Sequence, residues 1–325
     1  MQKVYIILPD TLPYSLCAKS FVQGFRYSDF YVEYSYSSEL DKSELLDFNP
    51  NIVMCFNFNE LKDGILDLVL EKNQNCIFIF DFLTNIDLKN DPLELLYNFK
   101  GKKIIYTTDL KDARHISGAK YLSSGINFKN YGVKFSEYNS GITIMSNPDN
   151  INVLKTITDL ISYFGKISIY ADEVDYVNSL ENELWNEIQD GEIKNLYRKS
   201  YKGEIRSEAE RAKVFSSSVV NVVPITKSPH GIDYRILEIS SASGFTIAEE
   251  TVAIKKYFDI GHNIETYKNS TDLIDKIEFY LKNPSLSWAI GLNARKTVVN
   301  NFSSTDTVKK VIKNIESLQN RNQKE

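Results

Sequence analysis

Cysteine is scarce in this chain, and its few cysteines do not cluster. Cys17, Cys55 and Cys76 are the only three, with no Cys-x-x-Cys and no Cys/His spacing of the kind that holds zinc. Their odd number, and the apolar settings of Cys55 (Val53-Met54-Cys55-Phe56) and Cys76, read as buried thiols in a reducing compartment. Positive charge is also in short supply. Lys and Arg number 38 against 43 Asp and Glu, a net charge of −5 with a pI near 5.5. That excludes a general nucleic-acid binder but not a local basic site for a phosphate. No apolar run approaches the roughly 20 residues that cross a bilayer. Met1–Pro9 is too short for a secretory leader and has no small-residue cleavage site. The expectation is a cytoplasmic protein, with a peripheral contact at the inner face of the membrane left open.

What is present suits ordinary globular domains. Hydrophobic residues make up 42% and charged residues 25% of 325, enough apolar side chain for cores in two domains and too little charge for disorder. Short continuous apolar runs recur: Val4–Leu8, Phe30–Tyr34, Ile52–Phe56, Cys76–Phe80 and Lys103–Thr107. Amphipathic stretches separate them, as at Leu61, Ile65, Leu66, Val69 and Leu70. Unbroken runs of this kind predict parallel strands covered on both faces. One Rossmann-like domain is therefore expected over residues 1–137. The rhythm restarts at Gly141–Met145, passes the turn and helix-start cluster Asn147-Pro148-Asp149-Asn150, and continues through Ile167–Tyr170. A second such domain is expected over 138–303, and a C-terminal helix with a polar, frayed tail over 304–325. The acidic run Glu181–Glu192 reads as a solvated helix face, and the twenty tyrosines and eighteen phenylalanines mostly as core and cover.

The most informative tract is His230-Gly231-Ile232-Asp233-Tyr234-Arg235-Ile236-Leu237-Glu238, closing on Gly244. An apolar strand, Ser218–Ile225, feeds a polar loop. The loop opens a helix with Arg235 and Glu238 in its first turns, and Phe245–Ala248 follows as another strand. A strand–loop–helix–strand unit with charge at the helix mouth is where α/β proteins hold phosphorylated ligands. Asp233 is the N-cap candidate, and Gly244 reads as the residue that ends the helix. Arg235 and Glu238, three apart, could equally pair with each other on a solvated face.

These residues also carry a resemblance. Gly231-x3-Arg235-x2-Glu238-x5-Gly244-Phe245, then Phe258-Asp259-x-Gly261-x2-Ile264-x2-Tyr267, Asp272-Leu273-x2-Lys276-Ile277-x2-Tyr280-Leu281-x-Asn283-Pro284 and Asn293-Ala294-Arg295-x2-Val298-x3-Phe302, resemble the C-terminal half of GT-B glycosyltransferases. The likeness is nearest to the spore-maturation CgeB-like branch of the group 1 and family-4 type enzymes. Tyr121–Asn127 resembles the end of the family's N-terminal domain and Gly141–Asn147 the first strand and loop of its second, while the first 110 residues match only in rhythm. The resemblance implies an α/β GT-B fold: two Rossmann-like domains, a parallel sheet each, facing an interdomain cleft. It implies a glycosyltransferase that moves a sugar from a nucleotide-diphosphate sugar to a glycan, protein or lipid-linked acceptor.

On that resemblance Gly231, Arg235 and Lys155 face the donor diphosphate, Glu238 takes the ribose hydroxyls, and Tyr170, Tyr201 and Glu204 lie on the nucleobase side. A helix mouth and an arginine suit a leaving diphosphate because both stabilise growing negative charge. No metal and no cofactor are expected, since no Asp-x-Asp occurs and helix dipole and basic side chains replace the cation. The sequence departs from the family at one place. Retaining enzymes of the family carry a glutamate eight residues before the ribose-binding one, and here that residue is His230. Catalytic candidates are accordingly His230 itself and, for inverting chemistry, a base in the N-terminal domain. Asp10, just after the first strand, is the positional candidate for that base and His115 a second. Lys227 reads as surface charge and His262 as a turn residue. Two other readings stay open: a GT-B protein that binds nucleotide sugars or carbohydrate without catalysis, and a GT-B sugar-nucleotide epimerase or hydrolase.

Overall fold

The protein is described here from a computed structural model, covering residues 1–10, 14–56, 59–82, 93–127, 132–148, 150–224 and 230–321. Asp149, Ile225, Lys227 and the tail residues 322–325 lie outside the described residues. The chain divides into two units: 1–127 with 230–234 and 301–325, and 128–229 with 235–300. The chain passes from one unit to the other after residues 127, 229, 234 and 300.

The first unit alternates strand and helix as its apolar runs predict. Its elements are β1 (Lys3–Leu8), α1 (Tyr14–Arg26), β2 (Tyr31–Tyr36), α2 (Lys42–Phe48), β3 (Ile52–Cys55), α3 (Asn59–Lys62) and α4 (Ile65–Lys72). Then come β4 (Ile77–Phe82), α5 (Leu93–Asn98), β5 (Lys102–Thr107), α6 (Asp112–His115) and β6 (Ala119–Tyr121). The six strands form one sheet in the order β2-β1-β3-β4-β5-β6, every neighbouring pair parallel. Both faces are covered, which is why the strands read as unbroken apolar runs. Val4, Ile6 and Leu8 point to one core with Phe21 and Phe25 of α1, whereas Tyr5 and Ile7 point to the other with Leu45, Leu66 and Val69. The last helix of the chain, α16 (Ser304–Arg321 by chain order), completes the first of these cores through Val308, Val311 and Ile315.

The second unit holds β7 (Ser140–Met145), α7 (Ile151–Phe164), β8 (Ser168–Tyr170), α8 (Glu173–Ser179), α9 (Glu183–Glu187), α10 (Gly191–Ser200), α11 (Glu208–Ser217) and β9 (Ser218–Val223). It continues with α12 (Tyr234–Ser241), β10 (Thr246–Glu249), α13 (Val252–Tyr257), β11 (Glu265–Tyr267), α14 (Ser270–Lys282) and α15 (Pro284–Asn301). Its five strands are parallel in the order β11-β10-β9-β7-β8. The core gathers Ile142 and Ile144 of β7, Val220 and Val222 of β9, and the apolar stripe Val153, Leu154, Ile157, Leu160, Ile161 of α7. Asn150 caps α7, its Oδ1 accepting the backbone N–H of Asn152 and Val153 at 3.0 and 3.4 Å.

The end of α12 differs from the reading in one respect. The left-handed residue is Ser243, at φ 63°, not Gly244. Gly244 is needed for closeness instead: a Cβ there would sit 2.7 Å from Ile239 Cγ2 and 2.8 Å from the Phe215 carbonyl oxygen. Among the described residues no helix is long and apolar enough to cross a membrane.

Candidate functional site

In open parallel sheets, ligands bind beyond the carboxyl ends of the strands. In the second unit that edge is drawn together by one side chain. Arg235 leaves the first turn of α12 and is buried, 6% exposed. Its Nη1 donates to the Met145 carbonyl at 3.3 Å and to Ser146 Oγ, and its Nη2 donates to the Pro224 carbonyl at 3.3 Å. Met145 ends β7 and Pro224 follows β9, so one guanidinium ties the ends of two adjacent central strands. Ser146 in turn donates its backbone N–H to the Tyr170 carbonyl at 3.2 Å, at the end of β8. Arg235, the turn after β7 and Tyr170 thus stand together.

One turn along α12, Glu238 is also buried, and it does not pair with Arg235. Its partner is Arg211 of α11: Nε donates to Oε1 and Nη2 to Oε2, both at 2.6 Å. The two side chains are 7% and 8% exposed. The solvated Arg235–Glu238 pair considered from their spacing is therefore replaced by a buried, two-point fork. Its cause lies in the helix faces: Arg211 shares the inward face of α11 with Ala212, Val214 and Phe215.

Just past β8, the segment after Ser200 runs alongside the strand end. Lys202 donates its N–H to the Ile169 carbonyl at 2.8 Å, Ala171 donates to Gly203 at 3.3 Å, and Tyr201 bridges to Ile169. Tyr201 stacks on Tyr176 with centroids 3.8 Å apart and planes 7° from parallel. Its hydroxyl donates to the Ala171 carbonyl at 3.3 Å. Burial raises the ionisation of Tyr170 and Tyr201 above the usual phenol range. Glu204 pairs with Arg206 at 2.6 Å, a partly exposed contact of small energetic weight. Lys155 is exposed on α7.

His230 and Gly231 group with the first unit. The His230 carbonyl accepts the Leu110 N–H at 3.3 Å, and Gly231 bridges to Asp109. Asp109 is itself buried, its Oδ1 accepting the N–H of Lys111 and Asp112 at 2.6 and 2.9 Å. Asp10 lies beyond the carboxyl end of β1, exposed, its Oδ1 accepting Ser38 Oγ at 2.6 Å and Ser38 N–H at 3.2 Å. Between β1 and the segment after β5 stand β3 and β4. Asp10 and His230 are thereby separated by three strand spacings, on the order of 14 Å. His115 is exposed at the end of α6 with Nδ1 donating to the Lys111 carbonyl at 2.7 Å.

Sequence reasoning passed over three residues. Ser146 and Arg211 are the partners of the two charged residues on α12. The third, Asp81 near the end of β4, is fully buried, and neither oxygen has a hydrogen-bond partner. Burial pushes its carboxyl up to about 8. Its signal was a lone acid ending an otherwise apolar run, Ile77-Phe78-Ile79-Phe80-Asp81. Among the described residues no three His, Cys, Asp or Glu side chains gather as a metal site.

Residues 164–313 match a family model described as glycosyl transferase-like. No curated protein matches the chain by sequence. Solved structures do match over its whole length. A glycosyltransferase from Rickettsia africae shares 13% identity at a TM-score of 0.67, covering 98% of both chains. Anabaena Alr3699/HepE in complex with UDP-glucose shares 11% at 0.70, covering 98% of this chain and all of the other. Sucrose-phosphate synthase from Thermosynechococcus elongatus shares 11% at 0.68, covering 99% and all. The fold is GT-B. In this GT-B chain the six-stranded unit is the N-terminal half, and the five-stranded unit contains Arg235 and Glu238.

Proposed function

We propose that this chain is a glycosyltransferase whose second unit binds a nucleoside-diphosphate sugar and whose first unit takes the acceptor: a glycan, a protein or a lipid-linked sugar. The observation that carries the reading is the pair of buried guanidinium contacts made to α12, Arg235 of that helix at the ends of β7 and β9 and Arg211 of α11 on Glu238. Arg235 fixes the turn after β7 and places a permanent positive charge beside it. The N–H groups at the start of α7 and α12 add to the same field. Together they stabilise the charge that grows on the diphosphate as the glycosidic bond breaks, without a metal ion. Within that unit Glu238 receives the ribose hydroxyls, Tyr170, Tyr201 and Glu204 border the base, and Lys155 lies toward the phosphates. The matched Anabaena protein was solved with UDP-glucose, which makes UDP-glucose the first donor to try. A cytoplasmic place, with peripheral membrane contact for a lipid-linked acceptor, belongs to the same proposal, as does kinship with the CgeB-like branch.

The reading is tested by thermal shift over UDP-, GDP-, CMP- and dTDP-sugars. At least one should raise the melting temperature, and no shift with any of them would defeat the proposal. A second reading, a GT-B protein that binds the donor without transferring it, is favoured by His230, which stands where retaining enzymes carry a carboxylate. Slow hydrolysis of the bound donor in the absence of acceptor separates the two, since a transferase shows it and a pure binder does not. Mass spectrometry of the product distinguishes transfer from epimerisation.

A further inference from the structure

We propose that Arg211 is a positioning residue that makes the donor site selective for ribonucleotides. It holds the Glu238 carboxylate so that the oxygens' remaining lone pairs face the ribose 2′- and 3′-hydroxyls. The inference rests on the donor-site reading above and adds to it a residue and a substrate class. Three observations carry it. First, the contact is a fork, with Nε on Oε1 and Nη2 on Oε2 at 2.6 Å each. A carboxylate accepts about four hydrogen bonds. The fork takes one lone pair on each oxygen along a single edge and leaves the other two for hydroxyl donors.

Second, the fork is rigidly referenced to the sheet. Arg211 lies in α11, which runs without a loop from Ser217 into Ser218 of β9, and its guanidinium lies 5.7 Å from the Phe215 ring centroid. Glu238 lies in α12, whose Arg235 is bonded to the carbonyl that follows the same strand. Both partners are thereby fixed to β9, so neither can turn away independently.

Third, stability does not explain the pair. A buried ion pair is often no better for the fold than an apolar pair of the same volume. What the pair does supply is orientation: both Glu238 oxygens accept from the guanidinium, and their outer edge is left as a pair of acceptors. A pair of acceptors at the ribose distinguishes a sugar that offers two hydroxyls from one that lacks the 2′-hydroxyl. Donors built on deoxyribose are thus disfavoured.

Calorimetry on the full chain with three probes, UDP, 2′-deoxy-UDP and inorganic pyrophosphate, tests the inference. Wild type should prefer UDP over 2′-deoxy-UDP by about tenfold, the scale of one hydrogen bond to a charged acceptor. Arg211→Lys keeps the charge and loses the fork. It should bring that ratio toward one and leave pyrophosphate affinity unchanged. In a Glu238→Gln background the same change should have no further effect on the ratio. Should Arg211→Lys not fold, Arg211→Met combined with Glu238→Gln removes both charges and should give the same ratio near one. A folded Arg211 variant that keeps the wild-type preference overturns the inference, because a merely structural arginine would move only the melting temperature. A wild type that binds UDP and pyrophosphate but ignores the 2′-hydroxyl overturns this inference alone. A wild type that binds none of the three overturns the donor-site reading with it.

Discussion

Asp81 costs this fold stability. A carboxyl with no partner in a core is destabilising whichever protonation state it takes, and the neutral form is the less costly. Its ionisation at about 8, against 3.8 for a free side chain, fixes the sign. Below about 4 the acid is protonated in folded and unfolded chains alike. Between those values only the folded chain keeps the proton, so rising pH favours unfolding, by on the order of 4 kcal/mol at neutrality. Asp81→Asn should therefore raise the melting temperature at pH 8 more than at pH 5. An equal effect at both, followed by calorimetric melting, would show that Asp81 ionises normally. At this scale the sequence disclosed Arg235 and Glu238 as charges on a helix that α/β chemistry uses. It did not disclose their partners. Arg211 and Ser146 are 27 and 89 residues distant in the chain, and no periodicity reports a pairing set by strand order. Glu238→Gln, for its part, should weaken UDP and barely change pyrophosphate affinity, measurable in one titration series.

The elements were legible where the apolar run was long enough to be buried on both faces. β1, β3, β4, β5 and β7 fall within two residues of their expected bounds. β6 and β11 have three residues each, and unlike the equally short β8 they carry a charge, Lys120 and Glu265, that breaks the apolar run. The last helix needed the tertiary structure to be understood. Packed on α1, α16 brings Ser304 and Val308 so close that a Cβ on Gly24 would lie 2.5 Å from the Ser304 carbonyl oxygen and from Val308 Cγ2. Gly24→Ala should destabilise the first unit by about 1–3 kcal/mol through overpacking. Ile315→Ala, which leaves a cavity in the same core, should cost about 2–5 kcal/mol. Urea unfolding of both variants checks this. Losses within about half a kcal/mol of wild type would mean that α16 contributes little to that core.

Across the whole molecule, the family resemblance and the strand rhythm led to the same GT-B architecture, and the full-length structural matches bear it out. The chain's path was less legible. Residues 230–234 and 301–325 return to the first unit, so the tract that reads as one continuous motif supplies His230 and Gly231 to one unit and Arg235 and Glu238 to the other. Hydrophobic patterning marks elements and not which unit a polar loop joins, which is why this division was invisible in the sequence. The central claim is that the Arg235 end of α12 is the seat of a donor diphosphate. It is tested most directly by titrating UDP into wild type and into Arg235→Ala, with circular dichroism confirming that both are folded. The account predicts binding to wild type and a loss of about 1.5–3 kcal/mol, roughly tenfold to a hundredfold, in the variant. Equal affinity in the two folded proteins would contradict it.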